Sequence, residues 1–411
     1  MKQVILIGGC LGLLALGAMR PVGEPQWFRG NTHTHSLWSD GNGPPEWISK
    51  FYVDAGYDFL VLSDHNILST GERWFPVDGQ RLSDAKVAQL VETFGEEQVE
   101  LRESEKITEG ISTTVREMRL RTLGELRERF EKPGEFLFIE GEEITDSWNS
   151  HPVHINAVNI DELVPPQHGD SVRDTIARNL AAIKAEGLRS GRSVLAHLNH
   201  PNFGWGVSWE DVASIPDEDL FEVYNGHSSV RNYGDETHPG MDELWDRALT
   251  WRLEELDLGL LYGVASDDSH DYYQWGVGRT NPGRGWVVVR ALELDADAIV
   301  EAMKAGDFYA STGVVLEDVV SDGNSLTVDI ATAPEVTYTT RFIGTRPGHG
   351  EGEVGVTLHE TTDDPAVYRF TGDEIYVRAR VVSSEDHPNP YAAGDKQMAW
   401  VQPVIPAEKS R

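Results

Sequence analysis

The sequence predicts an α/β fold followed by a smaller all-β region. Three observations carry that reading. Short, continuous apolar runs recur over most of the chain, helix-forming segments lie between several of them, and from about residue 315 the texture changes to alternating apolar and polar residues. Continuous apolar runs of roughly four to eight residues suit strands buried on both faces, as in parallel sheets. Alternation between turn signals suits antiparallel sheet with one face in water.

Taken in order, the runs share one property: most stop at ionisable residues. "FLVLSDHN" (59–66) ends at Ser63, Asp64 and His65, and "EFLFIEGEEI" (135–144) at Glu142 and Glu143. "HINAVNI" (154–160) starts with His154, while "SVLAHLNHP" (193–201) carries His197 and His200. "LFEVYN" (220–225) precedes His227, and "LYGVASDDSH" (261–270) ends at Asp267, Asp268 and His270. Between runs, "PPEWISKFYVDAGYD" opens with prolines and reaches Gly56, a helix signature. "DSVRDTIARNLAAIKAEG" offers Asp170 and Ser171 as N-caps and Gly187 as its end. A charged segment over about 69–134 reads as a largely helical insertion overhanging the residues after Leu62. "FYASTG" (308–313) reads as a turn, and residues 315–402 as a β-sandwich-like domain.

Before any of these runs stands "GNTHTHSLWSDG" (30–41), with His33 and His35 two apart and Asp40 close behind. On an extended strand, residues i and i+2 point to the same side. Imidazoles aimed together beside a carboxylate suit divalent metal ions. In a parallel α/β barrel the C-terminal strand ends open onto one face, so residues distant in sequence converge there.

Composition narrows the function. The chain has 411 residues, 39% of them hydrophobic, and a formal net charge of −33. Such acidity repels nucleic-acid backbones and excludes a non-specific nucleic-acid binder. The N-terminus, "MKQVILIGGCLGLLALGAMRPVGE" (1–24), has the order of parts of a signal peptide, with an uncleaved anchor as the alternative. It implies an exported protein, periplasmic or extracellular, with no other stable membrane insertion. The only cysteine, Cys10, lies in that run, so the remainder has neither disulfides nor thiolate chemistry.

The ordered set "HTH", Asp40, "SDH", "GEE", "HIN", "AHLNHP" and "SDDSH" resembles the PHP family, named for polymerase and histidinol phosphatase. The likeness covers about residues 28–275, with the insertion interrupting it. It implies a distorted seven-stranded β/α barrel, TIM-like, within residues 25–314, holding two or three divalent ions (zinc, manganese or iron) at its C-terminal face. The implied metal residues are His33, His35, Asp40, His65, Glu143, His154, His197, His200, Asp268 and His270, with Glu143 bridging two ions. His200 is favoured for the "HP" position, with His197 as a ligand or its supporting partner. Asp64 and Asp267 are expected to orient ligands. Asp40 and His227 are the candidate catalytic residues. The implied reaction is attack of metal-bound hydroxide on a phosphate ester, a small-molecule substrate. Cleavage of a carboxyl ester, amide or carbamate is the alternative, and a non-catalytic metal-holding surface module a third reading. His168, His238, His349, His359 and His387 are read as exposed polar residues outside the site.

Overall fold

The computed structural model describes residues 23–108, 111–216 and 219–407. The signal-like run Val4–Ala18, with Cys10, lies outside the described residues. Among those described, no helix is long and apolar enough to cross a membrane.

The chain begins with β1 (Gln26–Asn31), α1 (Pro45–Asp54) and β2 (Phe59–Leu62). Pro45 opens α1, where its missing N–H costs nothing, and Gly56 at φ 74° turns the chain towards β2. The insertion follows as β3 (Trp74–Pro76), α2 (Asp84–Phe94), β4 (Leu101–Thr108), β5 (Ile111–Arg119) and α3 (Leu123–Phe130). The expectation of a largely helical insertion is therefore corrected. Among the described residues its α-helices are α2 and α3, capped by the Ser83 and Thr122 side chains, with a short 3-10 turn at Glu96–Gln98, and β3-β5-β4 form an antiparallel sheet. Charge richness suggested helix. In fact opposite charges face each other across a ladder, as in the Arg102–Glu117 pair at 2.8 Å.

Next come β6 (Leu137–Trp148), β7 (His151–Val158), α4 (Val172–Ser190), β8 (Leu195–Leu198), α5 (Trp209–Val212), β9 (Leu220–Asn225), α6 (Met241–Glu254) and β10 (Tyr262–Ser266). β1, β2 and β6 run parallel, as do β8, β9 and β10. β7 runs antiparallel to both neighbours, because Asn149 and Ser150 take positive φ in a tight two-residue turn after β6. α4 continues past Gly187 to a left-handed cap at Gly191.

The remainder is β11 (Trp286–Ala291), α7 (Ala296–Lys304), β12 (Phe308–Ser311), β13 (Leu316–Ser321), β14 (Ser325–Ile330), β15 (Tyr338–Thr345), β16 (Val356–Thr361), β17 (Ala366–Arg369), β18 (Tyr376–Asp386) and β19 (Lys396–Val404). "FYASTG" is thus mostly strand, not turn. β12 joins β11 to β19, so no break in the sheet marks residue 315. The result is a mixed α/β fold around one 13-stranded mixed sheet, ordered β10-β9-β8-β7-β6-β2-β1-β11-β12-β19-β18-β15-β16. The separate β13-β14-β17 sheet shares an apolar core with the β15, β18 and β19 end of the large one.

The ladders themselves close no ring, and β10 stands at an edge of the sheet. Just beyond their ends, however, β1 and β10 meet again. Thr34 bridges Ser269 in parallel, His35 N donates to Ser269 O at 3.1 Å, and Asp268 N donates to His33 O at 3.0 Å. One apolar cluster draws Phe28, Phe59, Ile139, Val158, Leu195, Leu220 and Val264 from the seven strands β1, β2 and β6–β10, and packs them on Ile299, Val300 and Met303 of α7.

Candidate metal centre

The segment after β1 stays extended through Thr34, so His33 and His35 project to one side with their Nε2 atoms 3.1 Å apart. Asn31 Oδ1 accepts the His33 N–H and fixes that segment. Glu143 comes from the middle of β6, held beside His65 by a parallel bridge between the two residues. His154 arrives from the first half of β7, and it reaches this face only because β7 is reversed. His200 follows β8, while Asp268 and His270 follow β10. His200 (φ 26°) and Asp268 (φ 45°) both take left-handed backbone, strain of a kind that clusters at functional sites.

These side chains converge. Glu143 Oε1 lies 3.4 Å from His33 Nε2, 3.0 Å from His154 Nδ1 and 3.2 Å from His200 Nε2. Its Oε2 lies 3.3 Å from His35 Nε2 and 2.7 Å from His65 Nδ1. Asp268 Oδ1 is 3.3 Å from His33 Nε2 and 3.2 Å from His35 Nε2. Asp40 Oδ1 is 3.1 Å from His270 Nε2 and 3.4 Å from His65 Nε2. Donors bound at about 2.0–2.2 Å to one tetrahedral ion stand roughly 3.3–3.6 Å from each other. Four overlapping groups have ligand spacing: His35-Asp40-His65-His270, His33-His200-Asp268, His33-His35-Glu143 and His65-Glu143-His154. Nitrogen and carboxylate donors of this kind fit divalent metal ions.

His197 is not among them. It is fully buried in β8, and neither ring nitrogen has a hydrogen-bond partner. Burial lowers its pKa to about 4, which keeps the ring neutral. His227 also stands outside the four groups. Its ring is 5.1 Å from that of His270 and 6.3 Å from Phe203, at the edge of the cluster.

The electrostatics are those of a site built for cations. Burial alone would raise Glu143 and Asp268, yet the surrounding histidines hold both well below the carboxylate range. Burial also opposes protonation of His33, but Asp268, Glu222 and Glu143 outweigh it and raise its pKa. For His65, Glu143 and Asp40 overcome burial and lift it to about 11. His35 goes the other way, to about 3, through burial and the neighbouring His270 and His65.

Sequence reasoning missed Glu222. This fully buried carboxylate in β9 takes His33 Nδ1 at 2.7 Å and Ser266 Oγ at 2.5 Å, while its other oxygen accepts His200 N at 2.7 Å. The available signal was a lone glutamate inside the apolar "LFEVYN". Asp64 and Asp267, expected to orient histidines, make their hydrogen bonds to hydroxyl and backbone groups, and Asp64 reaches His35 through Ser39 Oγ, 3.4 Å from its Nδ1. Asp64 accepts from the N–H and hydroxyl groups of Ser36 and Ser39. Asp267 accepts Tyr52 OH and the N–H groups of Gly283, Arg284 and Gly285. Glu142 turns away to accept Val164 N. Of the residues read as exposed, His387 is buried and accepts Asn389 N.

No family model matches the chain, and no curated protein does. Solved structures do show likeness. A two-domain protein from Bacteroides vulgatus containing a predicted PHP-like metal-dependent phosphoesterase is 17% identical, with a TM-score of 0.39 over 94% of this chain and 100% of its own. A protein from Bifidobacterium adolescentis, assigned as a metal-dependent phosphoesterase, is 13% identical, with a TM-score of 0.30 over 61% of this chain and 89% of its own. An amidohydrolase from Chromobacterium violaceum is 19% identical, with a TM-score of 0.16 over 40% of this chain and 35% of its own. The solved structures similar to this chain thus include a two-domain protein with a predicted PHP-like metal-dependent phosphoesterase and a second protein assigned as a metal-dependent phosphoesterase.

Proposed function

We propose that the chain is a metal-dependent hydrolase of phosphate esters, built on a distorted seven-stranded barrel within residues 25–314 and carrying a β domain over 315–402. The observation that carries the reading is Glu143, whose two oxygens face separate sets of histidines, the disposition of a carboxylate between two cations. Support for the barrel comes from the Thr34–Ser269 bridge and from the apolar cluster shared by seven strands. The Lys2-led apolar run Val4–Ala18 supports export.

His33, His35, His65, Glu143, His154, His200, Asp268 and His270, with Asp40, would hold two or three divalent ions. Bound there, such ions would bring the pKa of water towards ~7 and would offset charge gathering on a phosphoryl oxygen. Glu222 accepts from His33 Nδ1, which leaves Nε2 unprotonated and aimed inward as a donor atom. His227 Nδ1 accepts the Ser229 N–H, so its proton sits on Nε2, free to donate to a substrate oxygen. Burial lowers His227 to about 4, so it acts as a neutral hydrogen-bond donor. Phe203 packs edge-on to His200 and at a tilt to His154, which gives that side of the site an apolar wall.

The test is a metal inventory of the purified protein, followed by turnover of phosphomonoesters, phosphodiesters and carboxyl esters with added manganese, zinc or iron. Phosphate-ester turnover that a chelator abolishes is expected. Turnover of carboxyl esters alone would replace the substrate class, and a protein that binds no metal would end the proposal.

A further inference from the structure

The insertion, about residues 69–134, meets the centre at the turn carrying Asp40. Leu37 and Trp38, just past His35, are buried in an apolar cluster with Phe75, Leu82, Leu90 and Met118 of the insertion. Trp38 Nε1 donates to Arg121 O at 2.9 Å. Two cations then reach the turn itself. Arg81 donates from one guanidinium nitrogen to Ser39 O at 2.5 Å and to Gly41 O at 3.4 Å, the carbonyls on either side of Asp40. Lys86 Nζ donates to Asn42 O at 3.1 Å and to Arg81 O at 2.6 Å, with its ammonium 4.1 Å from the Tyr273 ring centroid.

Asp40 needs such help. Its side chain is 57% exposed, and apart from the Ser39 hydroxyl at 3.4 Å its carboxylate faces only His35, His65 and His270. Those imidazoles lie on one side of the carboxylate, so the backbone of the turn sets the direction from which it reaches them. A charge-assisted bond to a carbonyl is stronger than one from water, and here it comes from an element with its own core.

We propose that Arg81 and Lys86 are positioning residues for Asp40, through which the insertion completes the group His35-Asp40-His65-His270. The inference rests on the metal-centre reading above. It makes the insertion part of the centre's construction: without it, the exposed carboxylate loses its fixed direction while the buried groups around His33 and Glu143 stand unchanged.

The experiment compares wild type, Asp40→Asn, Arg81→Met, Arg81→Lys, Lys86→Met and the Asp40→Asn/Arg81→Met double variant. Metal affinity is read by competition with a chromophoric chelator, and ligand geometry by the visible absorption of the cobalt-loaded protein. Circular dichroism checks the fold. Arg81→Met is expected to weaken the least tightly held ion by about 10–100-fold, the range typical of residues supporting a ligand, and to alter the cobalt spectrum as Asp40→Asn does. Arg81→Lys should restore much of the affinity, because an ammonium can still donate to a carbonyl. The double variant should bind no more weakly than Asp40→Asn alone, because residues acting through one group are not additive. Additive losses, or a folded Arg81→Met with wild-type affinity, would overturn the inference, as would an Asp40→Asn that leaves metal binding untouched. Should Arg81→Met not fold, Lys86→Met carries the same expectation and the same refutation. Wild type that binds no metal would instead refute the metal centre itself.

Discussion

Glu143 divides its two oxygens between His33, His154 and His200 on one side and His35 and His65 on the other. Glutamine at 143 keeps the volume and removes the charge between the two sets. Glu143→Gln should therefore lose metal stoichiometry and hydrolysis together, while the strands and their circular dichroism persist. Glu222 supports rather than ligates, so Glu222→Gln should cost about 10–100-fold in affinity or activity, the milder lesion of the two. Metal analysis and turnover on both variants decide the ranking. Glu143→Gln with wild-type metal content would remove the bridge. Glu46 makes a separate residue-scale prediction. It is buried in α1 with Oε2 unpartnered, and burial, against the pull of Arg121 and Arg129, raises its pKa from 4.5 to about 7. The folded chain then holds a proton that the unfolded chain has released, so stability falls as pH rises from about 4.5 to 7 and stays reduced above that. Glu46→Gln should raise the urea midpoint at pH 8 and leave it unchanged at pH 4. An unchanged midpoint at both values would show that Glu46 carries no burial penalty.

At the scale of elements, the turn from Ser36 to Gly43 is the most tightly specified piece of the site. A Cβ on Gly41 would lie 2.5 Å from His35 O and 2.9 Å from Ser36 N, so the chain folds back on a candidate ligand where only glycine fits. Gly41→Ala should open the turn and weaken metal binding by at least as much as Asp40→Asn, with the thermal midpoint little changed because no strand is involved. Chelator competition beside a melting curve reads both. Strand ends were the legible part of this fold. The apolar runs at Phe59–Leu62, Leu220–Asn225 and Tyr262–Ser266 are strands, and polar residues just past them gather in one place. The direction of β7 was not legible, because reversal depends on Asn149 and Ser150 taking positive φ, which composition does not dictate. The β4–β5 hairpin was hidden for a different reason, since Glu, Lys and Arg serve a helix face and a cross-strand ladder equally well. His197 and His200 could not be separated by pattern. The first lies within the ladder, paired with Asn156 and Leu220, and the second beyond it, where the chain turns. Glu222 escaped because strand periodicity treats a buried polar residue as an exception, whereas its two oxygens are fully engaged by His33, Ser266, His200 and Asn225.

Across the whole molecule, the chain carries a net charge of −33, yet its centre pairs Glu143 and Asp268 each with several imidazoles. Without metal, the neighbouring carboxylates favour the protonated forms of His33, His65, His200 and His270, whose pKa values are all raised against the opposing effect of burial. A divalent ion must displace those protons, so binding should release them and affinity should rise with pH through the neutral range. Calorimetric titration in two buffers of different ionisation heat measures the release. A heat independent of buffer would contradict this account of the centre. Finally, Thr34 and Ser269 join segments that the ribosome makes far apart in time. At about 5–20 residues per second, His33 precedes Asp268 and His270 by on the order of tens of seconds. The histidines just past the first strand therefore leave the ribosome before the carboxylate that follows the tenth exists to meet them. A nascent chain arrested before Asp268 holds several of the donors in order along its sequence, but the seam that brings the ends together has not yet been made.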